Sequence, residues 1–144
     1  MPTRPDSSPA TAAGRIELLR PAELTERAPY AYAAVDRVSR LVFTAGACPL
    51  DADGATVAPG DVRAQAEQVM HNLATALAAA GAGLPDVVKT TVYVSTGHQE
   101  DLLAVWEVVA RHFGEPTPPS TLLGVSVLGY GDQLVEVEAV AALP

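Results

Sequence analysis

Only one cysteine, Cys48, occurs in the 144 residues, so no intramolecular disulfide can staple the fold and stability has to come from a hydrophobic core. Long apolar runs are missing too, and no stretch approaches the roughly 18 residues that mark a membrane-spanning helix. The opening residues, Met1 to Gly14, are rich in Pro, Ser, Thr and Ala without a continuous apolar segment, which reads as a flexible tail over 1–14 and not as a signal peptide. A cytoplasmic protein with no membrane partner is expected. Basic residues are scarce as well. Nine Lys and Arg stand against 17 Asp and Glu, a formal charge of −8, and they form no run that could grip phosphates or an anionic surface. Nucleic acid is therefore excluded as an expected partner.

Other chemistries are missing at the level of spacing. His71, His98 and His112 stand apart, and no Cys/His/Asp/Glu cluster has ligand spacing, so no metal is expected. No Gly-x-Ser-x-Gly elbow occurs. The Gly81-Ala82-Gly83 pair looks like half of a dinucleotide fingerprint, yet it closes a helix instead of linking a strand to a helix N-terminus, which aims its amides away from any pyrophosphate. Cys48 lies beside Pro49 at a strand end, where a small buried thiol is the simplest reading. No cofactor is implied.

What is present is a core-forming pattern. Hydrophobic residues make up 49% of the chain, enough to fill one core, and residues 15–144 read as a single domain. Strands are expected at Ile16 to Leu19, Tyr30 to Val35 and Leu41 to Ala45, the last stopped by Gly46 and Pro49. Asp51-Ala52-Asp53-Gly54 reads as a turn. From the N-cap Asp61, apolar residues recur at Val62, Ala66, Val69, Leu73, Leu77 and Ala80 with helical spacing, and Gly81 and Gly83 end the helix. Val87 to Val94 alternates as a strand, with Val88, Thr90, Val92 and Val94 expected on one side. A second helix spans about Gln99 to Phe113, its apolar stripe formed by Leu102, Trp106, Val109 and Phe113. The prolines at 116, 118 and 119 prevent its continuation. Strands at Thr121 to Leu128 and Leu134 to Ala141 follow, joined by a Gly129 to Asp132 turn. The order β-β-β-α-β-α-β-β predicts an α/β (α+β) fold with both helices on one face of a mixed sheet. Alternation puts Glu136 and Glu138 opposite Val135, Val137 and Ala139, as a solvated strand face or as working carboxylates.

Several segments, taken in order, carry a family likeness: Ala28-Pro29-Tyr30, Phe43-Thr44-Ala45-Gly46, Pro49-Leu50-Asp51 with Gly54, Gln65 to Asn72-Leu73, Ala80-Gly81, Asp86 to Val94, and Val135 to Ala141. Together they resemble the YjgF/RidA (Rid) family of reactive intermediate deaminases over about residues 16 to 142. The resemblance implies a chorismate-mutase-like fold, a homotrimer with ligand pockets between neighbouring subunits, and cofactor-free hydrolysis of enamine or imine intermediates to ketoacid and ammonia.

The resemblance also carries residue roles. Tyr30 matches the family tyrosine, Glu136 matches the strand glutamate that positions the attacking water, and Gly46 is the pocket glycine. The family's Pro-Ala-Arg-Ser/Thr motif, whose arginine clamps the substrate carboxylate, reads Pro118-Pro119-Ser120-Thr121. Serine cannot supply that charge. Leu122 stands where cysteine is frequent, Ala45 where a serine can precede the glycine, and Trp106 where well-known members have asparagine, although Trp106 fits a core stripe equally well. The expectation is a catalyst for a neutral or bulky imine, enamine or related carbonyl intermediate, acting by deamination, tautomerisation, dehydration or cyclisation. Glu136 and Tyr30 would be catalytic, with Ser120, Thr121, Trp106, Leu122, Gly46 and Ala45 binding substrate. The alternative is a trimer that binds a small molecule or a protein without turning it over. Ribonuclease activity, attributed to some relatives, does not fit the acidic charge.

Overall fold

A computed structural model describes residues 14–144; the tail expected at 1–14 lies, except for Gly14, outside the described residues. Six strands form one sheet in the order β1-β2-β3-β6-β4-β5. These are β1 (Ile16–Leu19), β2 (Ala33–Asp36), β3 (Leu41–Thr44), β4 (Val87–Ser95), β5 (Ser120–Val125) and β6 (Val135–Ala142), with helices α1 (Val62–Ala79) and α2 (Gln99–Phe113). The β4–β5 pair is parallel and the other pairs are antiparallel, so the sheet is mixed and the fold α+β, as the pattern predicts.

Helix α1 begins and ends where local chemistry requires. The Asp61 side chain accepts from the Ala64 amide at 3.0 Å, a cap worth about 1 kcal/mol. Gly81, at φ +87°, turns the chain out of α1 in the left-handed region while the Ala82 amide satisfies the Leu77 carbonyl at 2.9 Å. Ala66, Val69, Leu73 and Leu77 of α1 are buried against the sheet. The stripe of α2 is rotated from its expected position. Val105, Val108 and Val109 are buried, whereas Leu102, Trp106 and Phe113 flank the core only partly covered, because the smaller β-branched face fits closer to the sheet.

Three expectations about strands need correction. Tyr30 lies ahead of β2, in the loop that leads into it. Val88 is exposed instead of sharing a face with Val92, since a register shift between Val87 and Lys89 breaks the alternation there. The last two strands are not neighbours. The connection from 126 to 134 is too long for a tight hairpin; β5 runs parallel to β4 at the sheet edge, and β6 inserts between β3 and β4. Val135, Val137, Ala139 and Ala141 of β6 are all buried, and a central position pairs both edges of this strand.

The face away from the helices stays open. Ile16, Leu18, Phe43 and Leu123 all point there and are 42–68% exposed. Glu136, Glu138 and Tyr93 lie on the same face. At the far end of that face Asp36 receives a two-pronged ion pair from Arg15, with both N–O distances 2.8 Å, and accepts from Ser39 at 2.8 Å. These donors hold its carboxyl well below the usual carboxylate range, the Arg15 hydrogen bond being the largest cause. A depressed folded pKa contributes stability that is present above the unfolded value near 3.8 and is lost as pH falls below it. Asp36→Asn is therefore expected to melt below the wild type at pH 7, with the gap closing in melts at about pH 3 or lower. A gap independent of pH would rule out the ion pair as its source.

Candidate functional site

Glu136 is the centre of the most organised polar cluster on the open face. Its backbone is fixed by β6, whose register sets Glu136 opposite Tyr93. The segment after β3 is pinned to the same strand, because Ala47 and Val137 exchange amide-to-carbonyl bonds of 2.7 and 3.2 Å. That pairing lays Gly46 directly on the Glu136 carboxylate. A Cβ built on Gly46 would stand 2.5 Å from Glu136 Cδ and 2.6 Å from Oε2, so only glycine leaves the carboxylate its place. The glycine expected from the resemblance thus has a steric reason.

Two donors converge on one oxygen of this carboxylate. The Cys48 thiol donates to Glu136 Oε1 at 3.1 Å, and Gln133 Nε2 donates to the same atom at 3.2 Å. Gln133 is buried, and its own Oε1 accepts from the Tyr130 amide at 3.0 Å. The Tyr130 hydroxyl stands 3.0 Å from that of Tyr30, and Tyr30 and Cys48 line one cavity. Burial and then the Glu136 carboxylate push the thiol up to about 12, and burial followed by the Tyr130 contact raises the Tyr30 hydroxyl well above its ordinary value. Both shifts favour the protonated forms at neutral pH, which argues against Cys48 as a thiolate nucleophile.

Helix α1 builds this cluster from behind. Gln65 and Asn72, two turns apart, face the core. Asn72 Nδ2 donates to the carbonyls of Cys48 and Leu50, each at 2.9 Å, and fixes the loop that carries the thiol. Gln65 Nε2 donates to the Asp132 carbonyl at 2.9 Å while its Oε1 accepts from the Leu134 amide at 2.7 Å, which fixes the approach to β6. Arg20 does the same for Tyr30 by donating to the Tyr30 and Ala28 carbonyls. A cavity of about 90 Å³ behind the cluster, between α1 and the 23–32 segment, is lined by Tyr30, Tyr32, Ala45, Cys48, His71 and Asn72, among others.

The expected site residues fall into two groups. Tyr30, Ala45, Gly46 and Glu136 come together. Ser120, Thr121 and Leu122 lie on the edge strand β5, two strand spacings from β6, or about 10 Å. Ser120 is displaced a further three residues, about 10 Å, from Leu123, which aligns through Tyr93 with Glu136. Leu122 packs against the core between sheet and helices, as does Trp106 from α2, and the Ser120 hydroxyl donates to the Pro118 carbonyl at 2.9 Å. Within one protomer the second group does not meet the first. Cys48, Gln133 and Tyr130 are site members that sequence reasoning missed. The available signal was polar residues inside buried periodicities: Gln65 and Asn72 on the apolar stripe of α1, and Gln133 just ahead of the buried strand β6.

Known proteins resemble this chain in sequence and in fold. Residues 21–143 match the family model described as Endoribonuclease L-PSP. The chain is 37% identical over 120 residues to a RutC family protein of Pyrococcus abyssi, covering 81% of this chain and 92% of that protein. It is 32% identical over 127 residues to the 2-iminobutanoate/2-iminopropanoate deaminase of Mus musculus, covering 86% and 92%. Among solved structures, E. coli TdcF with bound serine superposes with a TM-score of 0.75 at 26% identity, covering 89% of this chain and 99% of that one.

Proposed function

This chain belongs to the endoribonuclease L-PSP family, the YjgF/RidA group, and on that premise we propose that it is a cofactor-independent catalyst of imine or enamine hydrolysis whose substrate is neutral or bulky. The observation that carries the reading is the Glu136 carboxylate, held at Oε1 by Cys48 and Gln133 and resting on Gly46 at Oε2. Oε2 takes a proton from water as the water oxygen bonds to the imine carbon. The same oxygen returns the proton to nitrogen. The product is a carbinolamine; Oε2 then takes its hydroxyl proton and passes it to nitrogen as the C–N bond breaks, giving a carbonyl and ammonia, with the Tyr30 hydroxyl beside it. Tautomerisation, dehydration or cyclisation of a related carbonyl compound would use the same carboxylate.

The two separated groups of site residues support a cleft shared between copies. A homotrimer would bring the β5 edge of one subunit, with Ser120, Thr121 and Leu122, to the Glu136 cluster of the next, and would cover the exposed Leu18, Phe43 and Leu123. No helix among the described residues is long and apolar enough to cross a membrane. A chain of charge −8 gives the ribonuclease activity in the family's description no electrostatic support.

The test is to generate imines in situ by oxidising amino acids and neutral amines and to follow ketone and ammonia release. Acceleration of the neutral class is expected; acceleration of neither class would favour a binding protein. Ser120 makes the preference specific. The carboxylated 2-iminopropionate should turn over poorly, since its carboxylate would lack a cationic partner. Ser120→Arg is expected to raise kcat/KM on it by about 10- to 100-fold, the worth of charged hydrogen bonds. Fast turnover by the wild type would show that another cation holds the carboxylate.

A further inference from the structure

Cys48, Gln133 and Glu136, with Tyr130 and Tyr30 beyond them, form one chain of contacts: thiol to carboxylate, Gln133 amide to the same carboxylate, Tyr130 backbone amide to Gln133, and Tyr130 hydroxyl to that of Tyr30. The members come from the loop before β2, the loop after β3, the turn before β6 and β6 itself. Cys48 and Gln133, far apart in sequence, converge on one carboxylate oxygen, while the other oxygen receives no bond from these residues.

We propose that Cys48 is a positioning residue that, together with Gln133, commits Oε1 of Glu136 to the protein and leaves Oε2 alone to meet the substrate. The inference deepens the reading of Glu136 given above and rests on it for its catalytic part.

A thiol suits this task. It is buried, its proton stays on sulfur next to the carboxylate, and its weak donation orients the oxygen without neutralising it. The nearby Tyr93 hydroxyl does not compete, because it donates to Glu138 Oε1 at 2.9 Å. Burial of the Gln133 side chain and its second bond, to the Val135 carbonyl at 3.1 Å, leave the amide no other orientation that satisfies all three partners.

The experiment pairs kinetics with a signature that needs no substrate. The chain has a single thiol, so its S–H stretching band in the infrared reports Cys48 alone. In the wild type the band is expected at the low frequency of a donating thiol, and Glu136→Ala should move it upward. On an imine that the wild type hydrolyses, Cys48→Val is expected to lower kcat about tenfold with KM nearly unchanged, and Cys48→Ser, which restores a donor, should recover most of the loss. Full kcat in Cys48→Val would overturn the proposal, as would a band unmoved by Glu136→Ala. If the wild type hydrolyses no imine, the catalytic reading of Glu136 fails, and the band alone decides whether the thiol positions that carboxylate.

Discussion

Glu136→Gln is expected to lower kcat by roughly 10²- to 10⁴-fold on any substrate the wild type turns over, the range typical of a lost general acid/base. Stability should stay within about 0.5 kcal/mol of the wild type, because glutamine keeps the volume and an oxygen that can accept from Cys48 and Gln133. That combination separates chemistry from folding. The amide cannot take a proton from water, so KM should change far less than kcat. Steady-state kinetics beside a thermal melt decide the matter, and a variant with full turnover would remove Glu136 from the mechanism.

Gly46→Ala should be nearly as damaging for a different reason. The added methyl would stand 2.5 Å from Glu136 Cδ, far inside contact distance, and the part able to yield is the end of a side chain and not the backbone. The carboxylate is therefore pushed out of its rotamer, at about 0.5–1.5 kcal/mol, and the protein still folds. Because the displaced Oε2 is the oxygen assigned to proton transfer, kcat is expected to fall by roughly 100-fold although every ionisable group is retained. Activity close to the wild type would mean that the reacting atoms do not depend on where Oε2 sits. A structure of the variant would show whether the carboxylate has left Gly46, and loss of the Cys48 contact should accompany the move.

Some of this arrangement was readable along the chain and some was not. Helix α1 could be placed from Asp61 and its apolar repeat because capping and side-chain periodicity are local. The alternation that puts Glu136 and Glu138 on the face opposite Val135 and Val137 held, since a strand buried on one side enforces a period of two. The failures have non-local causes. Strand β6 pairs with β3 and β4 and not with its chain neighbour β5, because strand partners are selected by burial over the whole sheet. Val88 changed face at a register shift that no pattern in Val87 to Val94 announces. Cys48 is the small buried thiol that was expected, but its donation to Glu136, 88 positions away, is a contact that spacing along the chain does not reveal.

The sequence alone determined the family, the α+β class, and the buried faces of α1 and β6. These follow from residue identity and short-range spacing, which survive any change of partner. Tertiary structure decided which oxygen of Glu136 is held and which is free, why position 46 tolerates no side chain, and why Ser120 lies two strands away from the cluster it was expected to join. Those outcomes depend on directional contacts between segments that only the closed sheet brings within hydrogen-bonding distance.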